Sequence, residues 1–382
     1  MLRKTIISVI LSATMLTTLL FPIKVNALAE ENISAPSAIL MESSTGKILF
    51  EKNSHEKRAC ASVTKVMTLL LVFEAIDNGK LKYDDIITTS EHASSMGGSD
   101  IWLEPGETMS ADDMIKATVV ASANDAAVAL AEHISGSEDS FIQQMNKRAK
   151  ELGMNDTTFK NCNGLDEEGH LTSAYDVAVM SRELIKHEKI FDYTSIWIDN
   201  LRDGKTQIVN TNKLLKTYNG ITGLKTGTTN EAGCCMSATA TRDNVSLVAV
   251  VLGCNTGKER FADSAALLDY GFANISVKEL TLPDDMPKSI KVNGGMKNSV
   301  LIDCKVNSNI VIEKGDSSEI ETKIDLPESI DAPVAKNQKI GKLVFSVKGE
   351  PVKVCDIKAK TGIKEISFAS VFSVLFNSLI SL

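Results

Sequence analysis

The chain has 382 residues, of which 43% are hydrophobic and 24% are charged. This composition predicts a globular protein of two or three domains and excludes disordered and fibrous chains. Lys and Arg number 41 against 49 Asp and Glu, which gives a formal net charge of −8 without any basic block. Nucleic acid is therefore not expected as a partner.

The N-terminal segment is typical of a secretory signal. Arg3 and Lys4 precede an apolar run from about Thr5 to Phe21, and Ala27-Leu28-Ala29 follows. A basic head, a short apolar stretch and an Ala-x-Ala pattern predict that residues 1–29 are cleaved, with an uncleaved anchor as the alternative. We therefore expect the protein to act outside the cytoplasm.

Residues 30–275 are predicted to form the first domain, which begins with a hairpin from Ala38 to Glu51. Strand signals return near its end, and helical periodicity fills the middle. Strands from both ends predict one sheet with helices packed on it, which is an α+β class and not an alternating doubly wound fold. The predicted helices cover residues 63–77, 111–118, 124–134, 138–152, 173–187 and 260–270, and the later strands cover 222–225, 235–241 and 245–252.

Residues 276–363 have a different sequence pattern, in which short β-like runs alternate with Gly, Pro, Asp and Asn. Regularly spaced short strands with turn signals predict a small all-β domain, a sandwich or a barrel. No catalytic constellation is apparent in this part of the chain.

The last nineteen residues, 364–382, place large apolar side chains on one helical face opposite a serine-rich face. A terminal helix of this kind is predicted to lie flat in a membrane interface. A soluble core helix and a membrane-spanning helix are the alternatives. The apolar face comprises Phe368, Phe372, Leu375, Phe376 and Leu379.

The seven cysteines are an odd number and include no C-x-x-C pair. This spacing predicts neither a zinc site nor a dense disulfide framework. We interpret them as small buried apolar residues, and we expect no metal and no cofactor.

Three serines are followed by lysine three positions later, at Ser44, Ser54 and Ser62. Side chains three apart on a helix share a face, so a neutral lysine there could take the serine proton. Ser44 lies in the predicted hairpin turn and Ser54 in a polar linker, whereas Ser62 and Lys65 begin an apolar-periodic helix. Ser62 and Lys65 are therefore the candidate nucleophile and base.

Two further motifs complete the set. Ser122-Ala123-Asn124 starts another predicted helix, where its hydroxyl and amide could serve only as caps. Lys225-Thr226-Gly227 ends a predicted strand, and Gly227 would let a substrate backbone approach closely. A second match, Lys360-Thr361-Gly362, has no strand context.

The three motifs, in this order, resemble the S-x-x-K, S-D-N and K-T-G signatures of the serine penicillin-recognising enzymes. Residues 100–107, 122–133 and 163–170 are similar to one branch, the low-molecular-mass penicillin-binding proteins of peptidase family S11. The resemblance implies a β-lactamase/transpeptidase-like catalytic domain with an antiparallel sheet. Cys60 departs from the pattern, since this family usually has proline there, and Ala123 replaces a frequent glycine.

The resemblance also implies a serine-type D-alanyl-D-alanine carboxypeptidase that trims peptidoglycan stem peptides. Ser62 would attack the penultimate D-Ala carbonyl, Lys65 held neutral near Lys225 would be the base, and Ser122 would relay a proton to the leaving amine. For Arg260, the alternative to a substrate-binding role is that it is an ordinary exposed arginine on a helix. The implied substrate-binding residues are Asn124 for the substrate amide, Lys225, Thr226 and Arg260 for the terminal carboxylate, the N–H groups of Ser62 and Thr228 for the oxyanion, and Gly227.

Implied partners are the stem peptides, β-lactam antibiotics as acylating inhibitors, and the outer leaflet of a bacterial cell membrane contacted by residues 364–382. Two alternative functions stay open. A β-lactamase on the same core would need Glu167 or Glu168 to drive deacylation, although their surroundings do not match that family's pattern. A non-hydrolytic sensor would stay acylated.

Overall fold

The computed structural model describes residues 28–306, 309–314, 319–368 and 371–372. The predicted signal therefore lies outside the described residues apart from Leu28 and Ala29. Within the described part of the chain, no helix is both long and apolar enough to cross a membrane.

Eight α-helices lie before residue 275 in the described part of the chain. The predicted helices are found at their expected places within a few residues. The helices are α1 Lys65–Asp77, α2 Glu91–Ser94, α3 Ala111–Val120, α4 Asn124–Ser135, α5 Glu138–Glu151, α6 Ala174–Leu184, α7 Ile190–Thr194 and α8 Gly257–Asn274.

The β-strands occur in both parts of the chain. Two short antiparallel pairs were not indicated by the sequence pattern, Ile86–Thr88 with Thr108–Ser110 and Ile198–Leu201 with Thr206–Val209. The strands are β1 Ser37–Glu42, β2 Ile48–Lys52, β3 Ile86–Thr88, β4 Thr108–Ser110, β5 Ile198–Leu201, β6 Thr206–Val209, β7 Ile221–Thr229, β8 Gly233–Arg242, β9 Val245–Cys254, β10 Ile275–Glu279, β11 Ser289–Asn293, β12 Ser299–Cys304, β13 Asn309–Glu313, β14 Ile320–Asp325, β15 Ser329–Asp331, β16 Lys339–Val347 and β17 Glu350–Ala359.

The first domain is built on a five-stranded sheet in the order β2-β1-β9-β8-β7. All four pairings are antiparallel, and β1 from the start of the region pairs with β9 from its end. The predicted α+β class is confirmed. The strand β7, which carries the K-T-G motif, lies at one edge of this sheet.

Both faces of the sheet are covered, which explains why β9 is apolar along almost its whole length. Val248, Val250 and Leu252 pack in a core shared with α1, α4 and α6. Leu247, Ala249 and Val251 pack on the other face with α8. The helix α1 is buried from Lys65 through Phe73, so its first residue lies inside the protein.

The C-terminal part is β-rich, as predicted. Six strands form one sheet in the order β14-β16-β17-β12-β11-β15, and β10 pairs separately with β13. Apolar residues of both sheets, including Ile310 on β13 and Phe345 on β16, share one cluster. The strand β10 begins at Ile275 directly after α8, and its sequence pattern did not predict it.

The predicted start of the terminal helix at residue 364 is wrong. Lys364 accepts a backbone hydrogen bond from Met296, Glu365 forms a bridge with Gly295, and Ile366 donates to the carbonyl of Gly294. These residues are extended because their backbone groups pair with the β11–β12 turn. The remainder of the predicted helix beyond Phe372 lies outside the described residues.

Candidate active site

Ser62 and Lys65 lie where the core meets the edge of the sheet. Ser62 is half-buried in a 3₁₀ turn, Ala61–Thr64, that leads into α1. The Nζ atom of Lys65 lies 3.0 Å from Ser62 Oγ. It also donates to Asn124 Oδ1 at 2.5 Å and to the main-chain carbonyl of Asn163 at 2.6 Å.

The amine of Lys65 is suited to accept a proton. Complete burial lowers its pKa to about 7, against the opposing effect of Cys162 and Asp100. A neutral amine has two N–H bonds and one lone pair. The oxygens of Asn124 and Asn163 carry no hydrogen, so in the neutral amine they accept hydrogen bonds from its two N–H groups. The lone pair is then left for the hydroxyl of Ser62.

Ser122 and Lys225 form a second hydrogen-bonded pair of the candidate site. Ser122 lies between α3 and α4, and its Oγ accepts a hydrogen bond of 2.8 Å from Lys225 Nζ on β7. Burial, followed by the positive charges of Lys65 and Arg260, holds the pKa of Lys225 well below its usual value. Burial is thus the main cause of the lowered pKa of both lysines. The charge of Lys225 is not the main cause for Lys65.

Thr226 and Gly227 face different neighbours. The hydroxyl of Thr226 hydrogen-bonds to that of Thr211 at 2.6 Å. A Cβ atom at Gly227 would lie 2.7 Å from the Cys60 carbonyl oxygen and 2.8 Å from the Ser62 nitrogen. In this structure the glycine lets β7 pack against the turn that carries Ser62, which differs from the approach of a substrate backbone expected from the sequence.

Arg260 on α8 is buried, unlike an ordinary surface arginine. Its Nη1 donates to the carbonyl of Gly227 and to Thr228 Oγ1, both at 3.0 Å. Burial lowers its pKa, and its buried Nε has no hydrogen-bond partner within the described part of the chain. Arg260 therefore supports the end of the K-T-G strand.

The backbone is unusual on both sides of the site. Ala61 has φ +50° and Ser122 has φ +62°, a left-handed region that costs energy for residues other than glycine. Cys60 has φ −127°, which a proline ring does not allow, so this turn differs from one built on the family's usual proline.

His170 is excluded as the base by its hydrogen bonds. Its Nδ1 accepts from the Lys160 N–H at 3.1 Å, so Nε2 carries the hydrogen and donates to Thr64 Oγ1 at 2.8 Å. Burial lowers the pKa of His170 to about 4, which keeps it neutral. It thus holds the residue before Lys65 in place.

Asn163 and Gly164 are site residues that the motif search did not assign. The carbonyl of Asn163 binds Lys65, and Gly164 has φ +85°. A Cβ atom at Gly164 would lie 2.0 Å from the carbonyl oxygen of Ala61 and 2.9 Å from the nitrogen of Ser62. The only signal in the sequence was the resemblance of the segment 163–170 to the family.

Comparison with known proteins agrees with this geometry. Residues 24–256 match the D-alanyl-D-alanine carboxypeptidase family of peptidase S11. The chain belongs to this family. It is a serine-type D-alanyl-D-alanine carboxypeptidase, related to the low-molecular-mass penicillin-binding proteins. Residues 277–365 of the carboxypeptidase match the C-terminal domain of penicillin-binding protein 5.

Individual relatives cover most of the carboxypeptidase. It is 45% identical to D-alanyl-D-alanine carboxypeptidase DacF of Bacillus subtilis over 338 residues, 87% of each chain. The crystal structure of penicillin-binding protein 5 from Haemophilus influenzae superposes with a TM-score of 0.78 at 32% identity, over 88% of this chain and 100% of that one. Penicillin-binding protein D2 of Listeria monocytogenes in its ampicillin-bound form gives 0.59 at 33% identity, over 64% and 100%.

Substituting Gly164 by alanine should lower D-alanine release by at least about 10²-fold, because the added methyl would displace the turn that carries Ser62, and a displacement of about 1 Å in an active site already has an effect of this size. Gly153 is the matched control, since it has a similar φ of +75° but only open space within 4 Å of the position that an added methyl would take. Gly153→Ala should cost some stability and leave kcat/KM nearly unchanged. Equal kinetic losses in the two variants would show that strain alone, and not the collision at Ala61, matters.

Proposed function

We propose that the carboxypeptidase removes the terminal D-alanine from peptidoglycan stem peptides through an acyl-enzyme on Ser62. The observation that carries this proposal is the set of contacts of Lys65, whose Nζ lies within hydrogen-bond distance of Ser62 Oγ, Asn124 Oδ1 and the Asn163 carbonyl, so that the neutral amine would have its lone pair free for the Ser62 hydroxyl. A general base must lie within hydrogen-bond reach of the proton it removes, and this one does.

In the acylation step, Lys65 takes the Ser62 proton while Ser62 Oγ bonds to the carbonyl carbon of the penultimate D-Ala. The peptide C–N bond breaks, and the leaving amine takes a proton through Ser122, which Lys225 orients. Water then attacks the ester, and a proton returns to Ser62 Oγ as the shortened peptide leaves. No cofactor takes part in this scheme.

The substrate would lie between Asn124 and the strand β7. One Nδ2 hydrogen of Asn124 is held by the Gly97 carbonyl at 2.6 Å, so the other is free for a substrate carbonyl. The backbone N–H groups of Ser62 and Thr228 would stabilise the oxyanion. Lys225, Thr226 and Arg260 would provide the positive charge and hydroxyl for the terminal carboxylate.

A β-lactam would acylate the same serine, because its strained ring amide presents the carbonyl that the peptide would present. The ampicillin-bound form of the Listeria relative supports this proposal. With no separate leaving amine to diffuse away, the adduct would persist longer than the peptide acyl-enzyme.

We also propose the division of the chain. Residues 1–29 would be a cleaved signal, 30–275 the catalytic domain, 276–363 an all-β sandwich, and the residues after the extended segment 364–366 an amphipathic anchor on the outer face of the cell membrane. The C-terminal match over residues 277–365 supports the third unit. Phe368 and Phe372, whose rings stack 6.2 Å apart, would insert at the interface.

The decisive experiment uses the chain from residue 30 onward with diacetyl-L-Lys-D-Ala-D-Ala and measures free D-alanine. A second sample is treated with penicillin, and mass spectrometry locates the adduct. Release of D-alanine with an adduct on Ser62 is expected. A lasting adduct without release would favour the sensor, and rapid penicillin hydrolysis without release would favour the β-lactamase.

A further inference from the structure

Glu138 is a carboxylate near the candidate site that the proposed mechanism does not use. It is the first residue of α5, and only 11% of its side chain is exposed. Its Oε1 accepts a hydrogen bond of 3.0 Å from the Cys162 N–H, and its Oε2 lies 2.7 Å from His92 Nε2. Withdrawing a carboxylate from water costs free energy that such hydrogen bonds offset, so Glu138 is held between two separate segments of the chain.

The first contact of this carboxylate fixes the segment that carries an acceptor of Lys65. Cys162 directly precedes Asn163, whose carbonyl accepts from Lys65 Nζ at 2.6 Å. The carbonyl of Cys162 accepts from Thr68 Oγ1 at 2.5 Å, and Thr68 lies on α1 like Lys65 itself. Cys162 is therefore held at its carbonyl by α1 and at its N–H by Glu138.

The second contact connects this segment to the other acceptor of Lys65. His92 belongs to α2, and the loop that follows α2 contacts both acceptor residues. Met96 Sδ accepts from Asn163 Nδ2 at 3.3 Å. The Gly97 carbonyl accepts from Asn124 Nδ2 at 2.6 Å. The two oxygens that accept from Lys65 are thus carried by segments that the carboxylate links.

The charge of Glu138 has a further effect on a buried neighbour of the base. The titratable groups that face Glu138 are His92 and Cys162. Burial, and after it the charge of Glu138, holds the pKa of the Cys162 thiol well above its usual value. A thiolate at this position would favour the charged form of Lys65, since a negative charge on Cys162 raises the pKa of Lys65. Cys162 is thereby kept neutral beside an amine that must also be neutral to act.

We propose that Glu138 is a positioning residue for the reaction, which acts through Cys162 and Asn163 to keep the Lys65 amine directed at Ser62. This inference rests on the proposed role of Lys65 as the base, and it assigns a residue outside the three motifs. The carboxylate bonds to Cys162 and His92, so it acts through the main chain and does not touch the reacting atoms.

The kinetic test replaces Glu138 in three ways. Glu138→Ala should lower kcat/KM for a peptide ending in D-Ala-D-Ala by about tenfold, because the loosened Asn163 carbonyl lets the amine turn away from Ser62. Glu138→Gln should retain most of the activity, because its amide oxygen still accepts from the Cys162 N–H. Glu138→Asp keeps an acid in the first turn of α5 and should fold, but its carboxylate is one methylene too short for Cys162, so it should lose activity as Glu138→Ala does.

Asp139→Ala is the matched control. Asp139 is the next acidic residue in the first turn of α5, and it is exposed. Its replacement removes the same kind of favourable interaction between an acid and a helix start, so any effect on helix stability is reproduced. The parent's kinetics should be retained.

The pH profile separates positioning from a loss of stability. Burial is the main cause of the lowered pKa of Lys65, and the shorter side chain in Glu138→Ala admits water beside the Cys162 segment. The pKa of Lys65 should therefore rise, and the acid limb of kcat/KM should move to higher pH by at least about 0.5. The limb should stay in place in Glu138→Gln and Asp139→Ala. A lower unfolding temperature alone would not move it.

The outcomes separate this inference from the proposed function, because each variant is assayed both for D-alanine release and for the rate at which a fluorescent penicillin acylates Ser62. If the parent is acylated but releases no D-alanine, the proposed function fails, and the acylation rates still decide the role of Glu138. If the parent releases D-alanine but Glu138→Ala and Glu138→Asp keep its rate and its acid limb, the positioning role is wrong and the function stands. Equal losses in Glu138→Gln and Glu138→Ala would also overturn the role through the Cys162 N–H.

Discussion

Replacing Ser62 by alanine should reduce D-alanine release by at least about 10⁴-fold, as loss of a covalent nucleophile does in other serine hydrolases. Its hydroxyl is the one that the lone pair of Lys65 faces, so no neighbouring group can form the ester in its place. The measurement is kcat/KM for a peptide ending in D-Ala-D-Ala, together with labelling by a fluorescent penicillin. Labelling should disappear completely.

The control is Ser44→Ala, which removes the serine of another S-x-x-K match. Ser44 is exposed in the β1–β2 turn, where its hydroxyl bonds to Glu42. Release and labelling should persist in this variant. Both variants should unfold near the parent's temperature, because each removes only one hydroxyl and neither serine is fully buried. Penicillin labelling that survives Ser62→Ala would place the nucleophile elsewhere.

The choice of Ser62 over Ser44 and Ser54 could be made from the sequence, because only Ser62 begins a run with helical apolar spacing. The hydrogen bonds around Lys65 could not be predicted from the sequence. One of its partners is the main-chain carbonyl of Asn163, and any residue type offers such an oxygen. The packing role of Gly227 could not be predicted either, because its close neighbours Cys60 and Ser62 lie far away in the sequence.

The same distinction holds for the fold. The strands β7, β8 and β9 carry strong apolar or motif signals that predicted their sheet, and the family resemblance implied its antiparallel pairing. The antiparallel pairs β3–β4 and β5–β6 have strands of only three or four residues, which is too short for a periodic signal. The apolar spacing after residue 364 favoured a helix, but pairing of 364–366 with the β11–β12 turn satisfies the backbone instead.

Replacing Lys65 by methionine should lower kcat/KM by about 10³- to 10⁴-fold, the upper range for loss of a general base. Methionine fills a similar volume but offers no lone pair of comparable basicity to Ser62. Lys57→Met is the matched control, because Lys57 belongs to the unproductive Ser54 match and is exposed. That variant should retain the parent's activity.

The pH profile tests the same role independently. Lys65 acts as a base only when neutral, and its pKa is lowered to about 7. Acylation by the parent should therefore be slow below pH 7, rise as Lys65 loses its proton, and level off above it. In Lys65→Met this rise near pH 7 should vanish from the residual activity. If the variant kept the same acid limb, the titrating base would be another group, and Lys225, whose pKa is also lowered, would be the next to replace.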